Sequence, residues 1–493
     1  MDKFVKINSN QAGDFTASQN LIDFTIRAGD VISLRDSYLN FNVKVNVEEA
    51  STDGGEGIYP MDLQWKTAST DKPLFTNGAL IKNCHVKSAL KGQIENLRRN
   101  DQYQQLVATY TKSQRDAFAD SYLRSNQLIN PINKNQFTLF REINKTGSNK
   151  SRNLDICPVQ VSLADIFDFC NVADQVDTNM TGDLHFHFEM NIDKLEAVQQ
   201  MSDPSTDWAN EDLKDFEDVT AEGDLTTLVT KQKYTDLNLS PYYVGQALSV
   251  DATGTGGGGD LAAVRGVIGG IVWDKANGGK LQISFTESLI TIGTGEGLED
   301  VSVTPVVVSS SSVELNFAEC IYKVIGMPRD VPSSYMFNTY STEETNGNGL
   351  TGNFSKVYEL EPEATNVIVS FPSANDELVS SGLPDWSSYR LRLNNQDLFD
   401  RDIDQDHPLY YDRVAMTWKN MNYDIKNLVQ NFGCQSTKTW DDVYDRAGNE
   451  TAILANPTFV TERQKNLQVN IETTSPVNAI TIFKQLPRSF PRD

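Results

Sequence analysis

The stretch Leu80–Tyr110, LIKNCHVKSALKGQIENLRRNDQYQQLVATY, constrains this chain most, because its hydrophobic period changes half-way along. Leu80, Cys84, Val86 and Leu90 fall on one face of an alternating strand, with Lys82 and Ser88 as exceptions, and Asn83, His85 and Lys87 point the other way. Beyond Gly92 the spacing lengthens. Ile94 and Leu97 lie three apart, and Tyr103, Leu106, Val107 and Tyr110 follow an apolar helix stripe. Asn100 and Asp101 stand where a cap is needed. A strand therefore runs into a broken helical connection, in a chain that otherwise reads as β. A second such connection is expected at His407–Gly433, HPLYYDRVAMTWKNMNYDIKNLVQNFG.

The remaining segments read mostly as strands. In Leu39–Val47, Leu39, Phe41, Val43, Val45 and Val47 share one face, and Asn40, Asn42, Lys44 and Asn46 the other, as in a half-buried antiparallel strand. Leu184–Leu195 alternates in the same way, with His185, His187, Glu189 and Asn191 outward, and reads as the last strand of a first domain. Ser162–Val172 reads as a short helix capped by Ser162, with Asp165 as the capping-box acid. Further strands are expected at 242–250, 264–273, 280–289, 301–308, 312–325, 367–371, 389–393, 467–471 and 479–483. Asn277-Gly278-Gly279 marks a hairpin, and Ala252–Asp260 (ATGTGGGGD) a loop.

At 493 residues the chain exceeds one ordinary core. Met201–Thr230 is acidic and short of apolar residues, so the linker is placed there. The expected domains are 1–225, with the linker from about 201, and 226–493. No fixed-period identity points to a solenoid or propeller.

A formal net charge of −24 repels phosphate, which argues against nucleic-acid binding, sequence-specific or otherwise. Cys84, Cys157, Cys170, Cys320 and Cys434 show no CxxC or paired spacing and read as reduced thiols of an intracellular setting. The start, MDKFVKINSNQAGDF, carries no apolar run of the secretory type, and Val264–Trp273 is too short to span a bilayer.

Motifs for chemistry are sparse. His185 and His187 share a strand face and could ligate a metal, but no third ligand is indicated. Asp400, Asp402, Asp404 and Asp406 resemble the start of a calcium loop, but Gln405 and Tyr411 stand where the EF-hand needs Gly and Glu. They read more simply as an acidic patch before a helix. The glycine run lacks the Lys-Ser/Thr of a phosphate loop, and GxSxG and HExxH are absent. No catalytic residue and no cofactor is expected. Trp208, Trp273, Trp386, Trp418 and Trp440 could stack sugars, so a carbohydrate-binding or carbohydrate-active β-sandwich is the alternative reading, although isolated tryptophans are more often core or interface anchors.

Three stretches carry a family resemblance. Leu80–Arg99, His407–Leu428 and the ending Asn466–Arg488, NLQVNIETTSPVNAITIFKQLPR, together resemble the double jelly-roll major capsid proteins of double-stranded DNA viruses, particularly the Polinton-like virus and virophage branch. The specific motifs cover less than a fifth of the chain, and Leu225–Val308 has no counterpart strand by strand. The resemblance implies an all-β chain of two tandem eight-stranded jelly rolls with short helical crossings and long loops. It further implies homotrimers that tile an icosahedral shell, with penton and minor capsid proteins as neighbours, a place in the virion and no membrane span. Lys112–Ser151, Ala252–Asp260 and Tyr340–Lys356 are then the candidate outward loops.

Overall fold

The computed structural model describes the chain except residues 1, 12, 50–56, 67–75, 112–127, 130–136, 144–155, 200–215, 234–241, 275, 277, 307, 333, 373–377, 379–385, 399–400, 405–414, 422–452, 456–464 and 492–493. In chain order the first part holds β1 (Lys3–Asn8), β2 (Leu21–Ile26), β3 (Val31–Glu49), β4 (Gly57–Trp65), β5 (Ile81–Ser88), β6 (Gly92–Leu97), α1 (Asn100–Thr111), β7 (Leu128–Ile129), β8 (Phe137–Ile143) and β9 (Ile156–Ser162). Then follow α2 (Leu163–Ile166), α3 (Asp168–Val172), β10 (Val176–Asp177), α4 (Thr178–Thr181), β11 (Leu184–Met190) and β12 (Leu195–Gln199).

Alternation explains the strands. Leu39, Phe41, Val43 and Val45 of β3 are buried, while Asn40, Asn42 and Lys44 are half-buried on the opposite face. In β11 Leu184, Phe186, Phe188 and Met190 are buried and His185, His187 and Glu189 are not. The residues after Gly92 do not turn helical at once. Ile94 and Leu97 lie on β6, which pairs back onto β5, and the helix starts only at Asn100. The Ser162–Val172 helix is split at Phe167 into two single turns, and Ser162 makes no side-chain cap.

A separate unit comes next: β13 (Gly223–Asp224), β14 (Thr227–Lys233), β15 (Ala247–Thr255), β16 (Leu261–Asp274), β17 (Lys280–Phe285), β18 (Thr291–Ile292) and β19 (Gly297–Pro305). Five of these strands form one sheet in the order β14-β17-β16-β15-β19. The hairpin expected before Lys280 is present, joining β16 to β17 with Asp274 opposite Lys280. β15 runs to Thr255, into the glycine run that reads as a loop, and the chain turns at Gly256 and Gly257. Phe216, Leu228, Leu248, Val250, Ile283 and Val303 belong to a hydrophobic cluster distinct from that of the rest of the chain. Removing one of its central side chains therefore acts locally. Ile283→Ala is expected to cost about 2–5 kcal/mol, with amide exchange accelerating within 216–303 and unchanged in β3 and β11.

The strand after this unit, β20 (Val308–Val324), returns to the first sheet and pairs with β3 from Val308↔Glu49 to Val324↔Ile32. One sheet is ordered β1-β20-β3 with β9 and β10 on the far side of β3, and the other β2-β11-β5-β6. In chain order β1, β2, β3, β5, β6, β9, β11 and β20 cross between these sheets at every step but the β5–β6 hairpin, the pattern of an eight-stranded jelly roll. β4, β7, β8 and β12 make an accessory sheet. The division at 225/226 does not follow the pairing. The first jelly roll closes only at Val324, and the residues from about 200 to 307 are inserted before its final strand. Leu184–Met190 is thus its penultimate strand. The acidic stretch that reads as an interdomain linker is the entry to this insertion, and its residues 201–215 lie outside those described.

The second jelly roll begins at β21 (Ser334–Leu360) and continues with β22 (Asn366–Ser370), β23 (Trp386–Leu393), β24 (Gln396–Asp397), β25 (Ile403–Asp404), β26 (Ile453–Ala455) and β27 (Lys465–Pro491). β21 and β27 pair along their lengths and are broken together, between Asn346↔Ala479 and Gly352↔Thr473. Within one seven-stranded ladder, the outer halves, 334–346 and 479–491, lie with β22 and β26, and the inner halves, 352–360 and 465–473, with β23, β24 and β25. Counting each long strand twice, the chain order and sheet membership match those of the first jelly roll. Tyr340–Lys356 is therefore strand and not loop, and the two closing strands expected at 467–471 and 479–483 are halves of one. Residues 415–420 are helical. They fall between β25 and β26, the position α1 occupies between β6 and β9. The rest of the second crossing and most of Lys112–Ser151 lie outside the described residues.

The registers also define two ends of the first jelly roll. At one, short turns join β2 to β3 and β5 to β6, and Thr178 and Asp183 side chains bond the backbone at Ala28–Asp30. From the other, where Glu49 meets Val308, Lys44 meets Ile156 and Ile81 meets Met190, all three long excursions depart.

Candidate functional site: the seam between the jelly rolls

The two jelly rolls share one continuous hydrophobic cluster. Its middle is aromatic. Phe169 of α3 packs edge-on against Tyr335, Phe337 and Phe490 of the second jelly roll, with ring centroids 5.8, 5.6 and 5.3 Å away. Tyr103 of α1 stacks on Tyr340 at 4.2 Å, and Phe483 closes the group. The helical crossing that stands out in the sequence thus supplies half of the seam.

Polar groups fix the register of this contact. Arg99 is buried, with a positive φ of 55°, and its Nε donates to Asp101 Oδ1 at 3.1 Å. Arg99 Nη1 reaches across to Glu344 Oε1 at 3.1 Å. Asp101 Oδ2 also accepts from Asn191 Nδ2 at 2.9 Å. Burial pushes the Asp101 carboxyl up, against the opposing pull of Arg99. The Asn338 amide donates to Asp168 Oδ2 at 2.7 Å, Thr342 Oγ1 to the Arg98 carbonyl at 2.9 Å, and the Tyr335 hydroxyl to the Gln175 carbonyl. Glu95 lies in the core, where its Oε2 accepts from the Phe169 amide at 2.8 Å. Burial pushes its carboxyl up to about 8, the Phe169 amide pulls the other way, and the Asp168 charge adds to the rise.

Of the residues singled out in the sequence, Asn100 and Asp101 do more than cap. Asn100 Nδ2 donates to the Gly78 and Ile81 carbonyls, tying α1 to the start of β5. The histidines pair differently from the sequence reading. His187 lies directly opposite His85 on the neighbouring strand, their rings stacked at 4.6 Å, and Asp23 holds His187 Nδ1. His185 instead contacts Thr25 Oγ1 at 3.2 Å. Burial, then the neighbouring His187 and Lys87, lower His85 to about 4. Among the described residues no three His, Cys, Asp or Glu side chains converge as a metal would require. In the acidic run, Asp402 is held by Arg390 Nε at 2.6 Å, and Asp400 and Asp406 lie outside the described residues. Trp418 is 0 % exposed and belongs to the core, so it cannot stack a sugar, while Trp208 and Trp440 lie outside the described residues. Cys84, Cys170 and Cys320 are buried and unpaired. An open cavity of about 360 Å³ is lined by Phe4, Tyr38 and Lys323, among others, and Lys323 Nζ is bound there by Asp36 at 2.9 Å. No described helix is long and apolar enough to cross a membrane. The seam joins residues that stand out in the sequence, Tyr103 and Asp101, to others that do not. Phe169, Tyr340 and Glu344 carry no local signal beyond apolar or alternating character.

The connectivity defines a class: this chain is a double jelly-roll protein. No family model matches it, and neither does any curated protein. Among solved structures it is similar to a chain of the Sputnik virophage, at 9% identity, covering 99% of this chain and 86% of that one, with a TM-score of 0.41. It is likewise similar to a chain of the PBCV-1 virus capsid, at 10% identity, 99% and 94% coverage and a TM-score of 0.40. The mavirus major capsid protein is similar at 10% identity, with 99% and 88% coverage and a TM-score of 0.37.

Proposed function

We propose that this chain is a structural, non-catalytic major capsid protein. It assembles as a homotrimer whose capsomers tile an icosahedral shell around a double-stranded DNA genome, so that its place is the virion. The observation that carries this reading is the duplication of one topology within a chain, with both copies joined through a buried aromatic seam. Three such chains around a threefold axis present six like blocks, an outline that packs into flat hexagonal arrays with only three subunits. The first jelly roll comprises residues up to about 199 and again 308–324, and the second runs from 334. The inserted unit and the accessory sheet leave from one end and form an outward tower, while the tight turns face inward. Penton and minor capsid proteins are the expected neighbours. The negative charge suits a shell that encloses nucleic acid without gripping it. The burial of Trp418 removes one of the five tryptophans on which the carbohydrate reading rests.

Light scattering on the purified protein tests the proposal. The expected particle has three times the mass of the 55.0 kDa chain and a hexagonal outline by electron microscopy. A chain that stays monomeric at high concentration under assembly conditions overturns it.

A further inference from the structure

The corner where β21 passes from one sheet to the other has the sequence Asn346-Gly347-Asn348-Gly349. We propose that Asn346 and Asn348 are sites of spontaneous covalent modification, each converting to aspartate or isoaspartate through a cyclic imide formed with the glycine that follows. In the first step the Gly347 nitrogen attacks Cγ of Asn346. The Cγ–Nδ2 bond breaks, and Nδ2 leaves as ammonia with the peptide proton. Water then adds to either imide carbonyl and reopens the ring. One water is consumed, one ammonia released and one negative charge gained. Asn348 reacts with Gly349 in the same way.

Four observations place this chemistry here. The glycines carry no Cβ to hinder attack by their nitrogens. The ladder between β21 and β27 steps directly from Asn346↔Ala479 to Leu350↔Val477, so residues 347–349 have no cross-strand partner to hold them extended. Both asparagines are exposed, which gives water access to the imide. The Asn348 amide donates to Asn346 Oδ1 at 2.9 Å, which draws the side-chain amide over the following peptide and polarises its carbonyl.

The corner cannot shed the reactive pairs without cost. A Cβ at position 347 would collide with the Val477 carbonyl. Asn348 has φ of 55° and Gly349 of 68°, conformations that favour Asn and Gly. The geometry of the turn and its chemical lability therefore share one cause. Thermolabile amides of this kind are tolerated where a turn needs them.

The chain carries its own comparison. Asn77-Gly78 is the same dipeptide, but it opens a 3-10 helix capped by Thr76. Asn77 Nδ2 donates to the Gln160 carbonyl at 3.4 Å, and the Gly78 carbonyl accepts from Asn100 Nδ2 at 3.1 Å. Held at both ends, this pair is protected in the folded protein. At the corner each conversion adds a carboxylate close to Glu343 and Glu344, whose charges are already engaged by Lys484 and Arg99. The modified protein thus accumulates negative charge with age at this corner.

The test is peptide mapping of the folded full-length protein before and after storage in warm, mildly alkaline buffer. A gain of one mass unit per converted residue, with isoaspartyl linkages, is expected at Asn346 and Asn348 and not at Asn77. The same protein aged in denaturant should convert Asn77 as well. Equal conversion at Asn77 and the corner in the folded protein, or none at the corner while the denatured sample converts, overturns the proposal. A variant with Asn346→Gln and Asn348→Gln should lose the signal. The comparison with Asn77 in the unaltered chain stands whether or not that variant folds.

Discussion

Replacing Glu95 by Gln should raise the stability of this protein near neutral pH by roughly 2–4 kcal/mol and flatten its dependence on pH. The sign follows from the position of the carboxyl. Folding raises it from an ordinary value of 4.5 to about 8, chiefly because the folded protein buries it completely. The folded state therefore binds a proton that the unfolded state has released. Stability is greatest below about pH 4.5, falls by roughly 1.4 kcal/mol per pH unit up to about 8, and is level above that as far as this group decides it. A glutamine is always neutral and can still accept from the Phe169 amide. Chemical denaturation of both proteins across this range measures the effect. Parallel curves for the two would show that folding does not shift the Glu95 carboxyl.

The second large effect concerns the seam itself. Phe169→Ala empties a site bounded by Tyr335, Phe337 and Phe490. It should cost about 3–5 kcal/mol, the usual range for deleting a fully buried ring. What distinguishes a seam residue from any core residue is where the loss appears. The two jelly rolls share one cluster, whereas the inserted unit has its own. Hydrogen exchange should therefore quicken in β3, β11, β21 and β27 together, with β16 and β17 unaffected. Acceleration confined to the first jelly roll would mean that the two halves are merely tethered. A double block that comes apart is a poor building unit, so this measurement also bears on the proposed capsomer.

Much of the architecture could be read from local pattern. The alternation in Leu39–Val45 and Leu184–Met190 marks strands with one buried face, and their burial follows it residue by residue. The stripe Tyr103, Leu106, Val107 and Tyr110 marks α1, and the glycines before Lys280 mark a hairpin. Misreadings arose where local pattern is ambiguous. Ile94 and Leu97 are three apart and fit a helix, yet the turn at Gly92 folds them back onto β5, where backbone pairing takes precedence. Tyr340–Lys356 is polar and glycine-bearing and reads as a loop, but pairing with β27 holds it as a strand with one corner. The histidine pair leaves no local pattern, because His85 and His187 are about a hundred residues apart and meet only across the β5–β11 ladder.

By itself, the order of side chains determined that this protein is built of half-buried strands, with a helical crossing at α1 and no recognisable catalytic motif. Those properties depend on neighbours within a few residues, and a period of two or of 3.6 records them directly. Only the tertiary structure decided which strand closes the first jelly roll, where the second begins, and that the region between is a unit with its own core. Strands of an inserted sheet alternate just as jelly-roll strands do. The pairing of Val31–Glu49 with Val308–Val324 joins positions separated by most of the chain, and such a contact leaves no trace in the composition of either segment. The same holds for the seam, where a phenylalanine on a five-residue helix acquires its role only from the three rings that close around it.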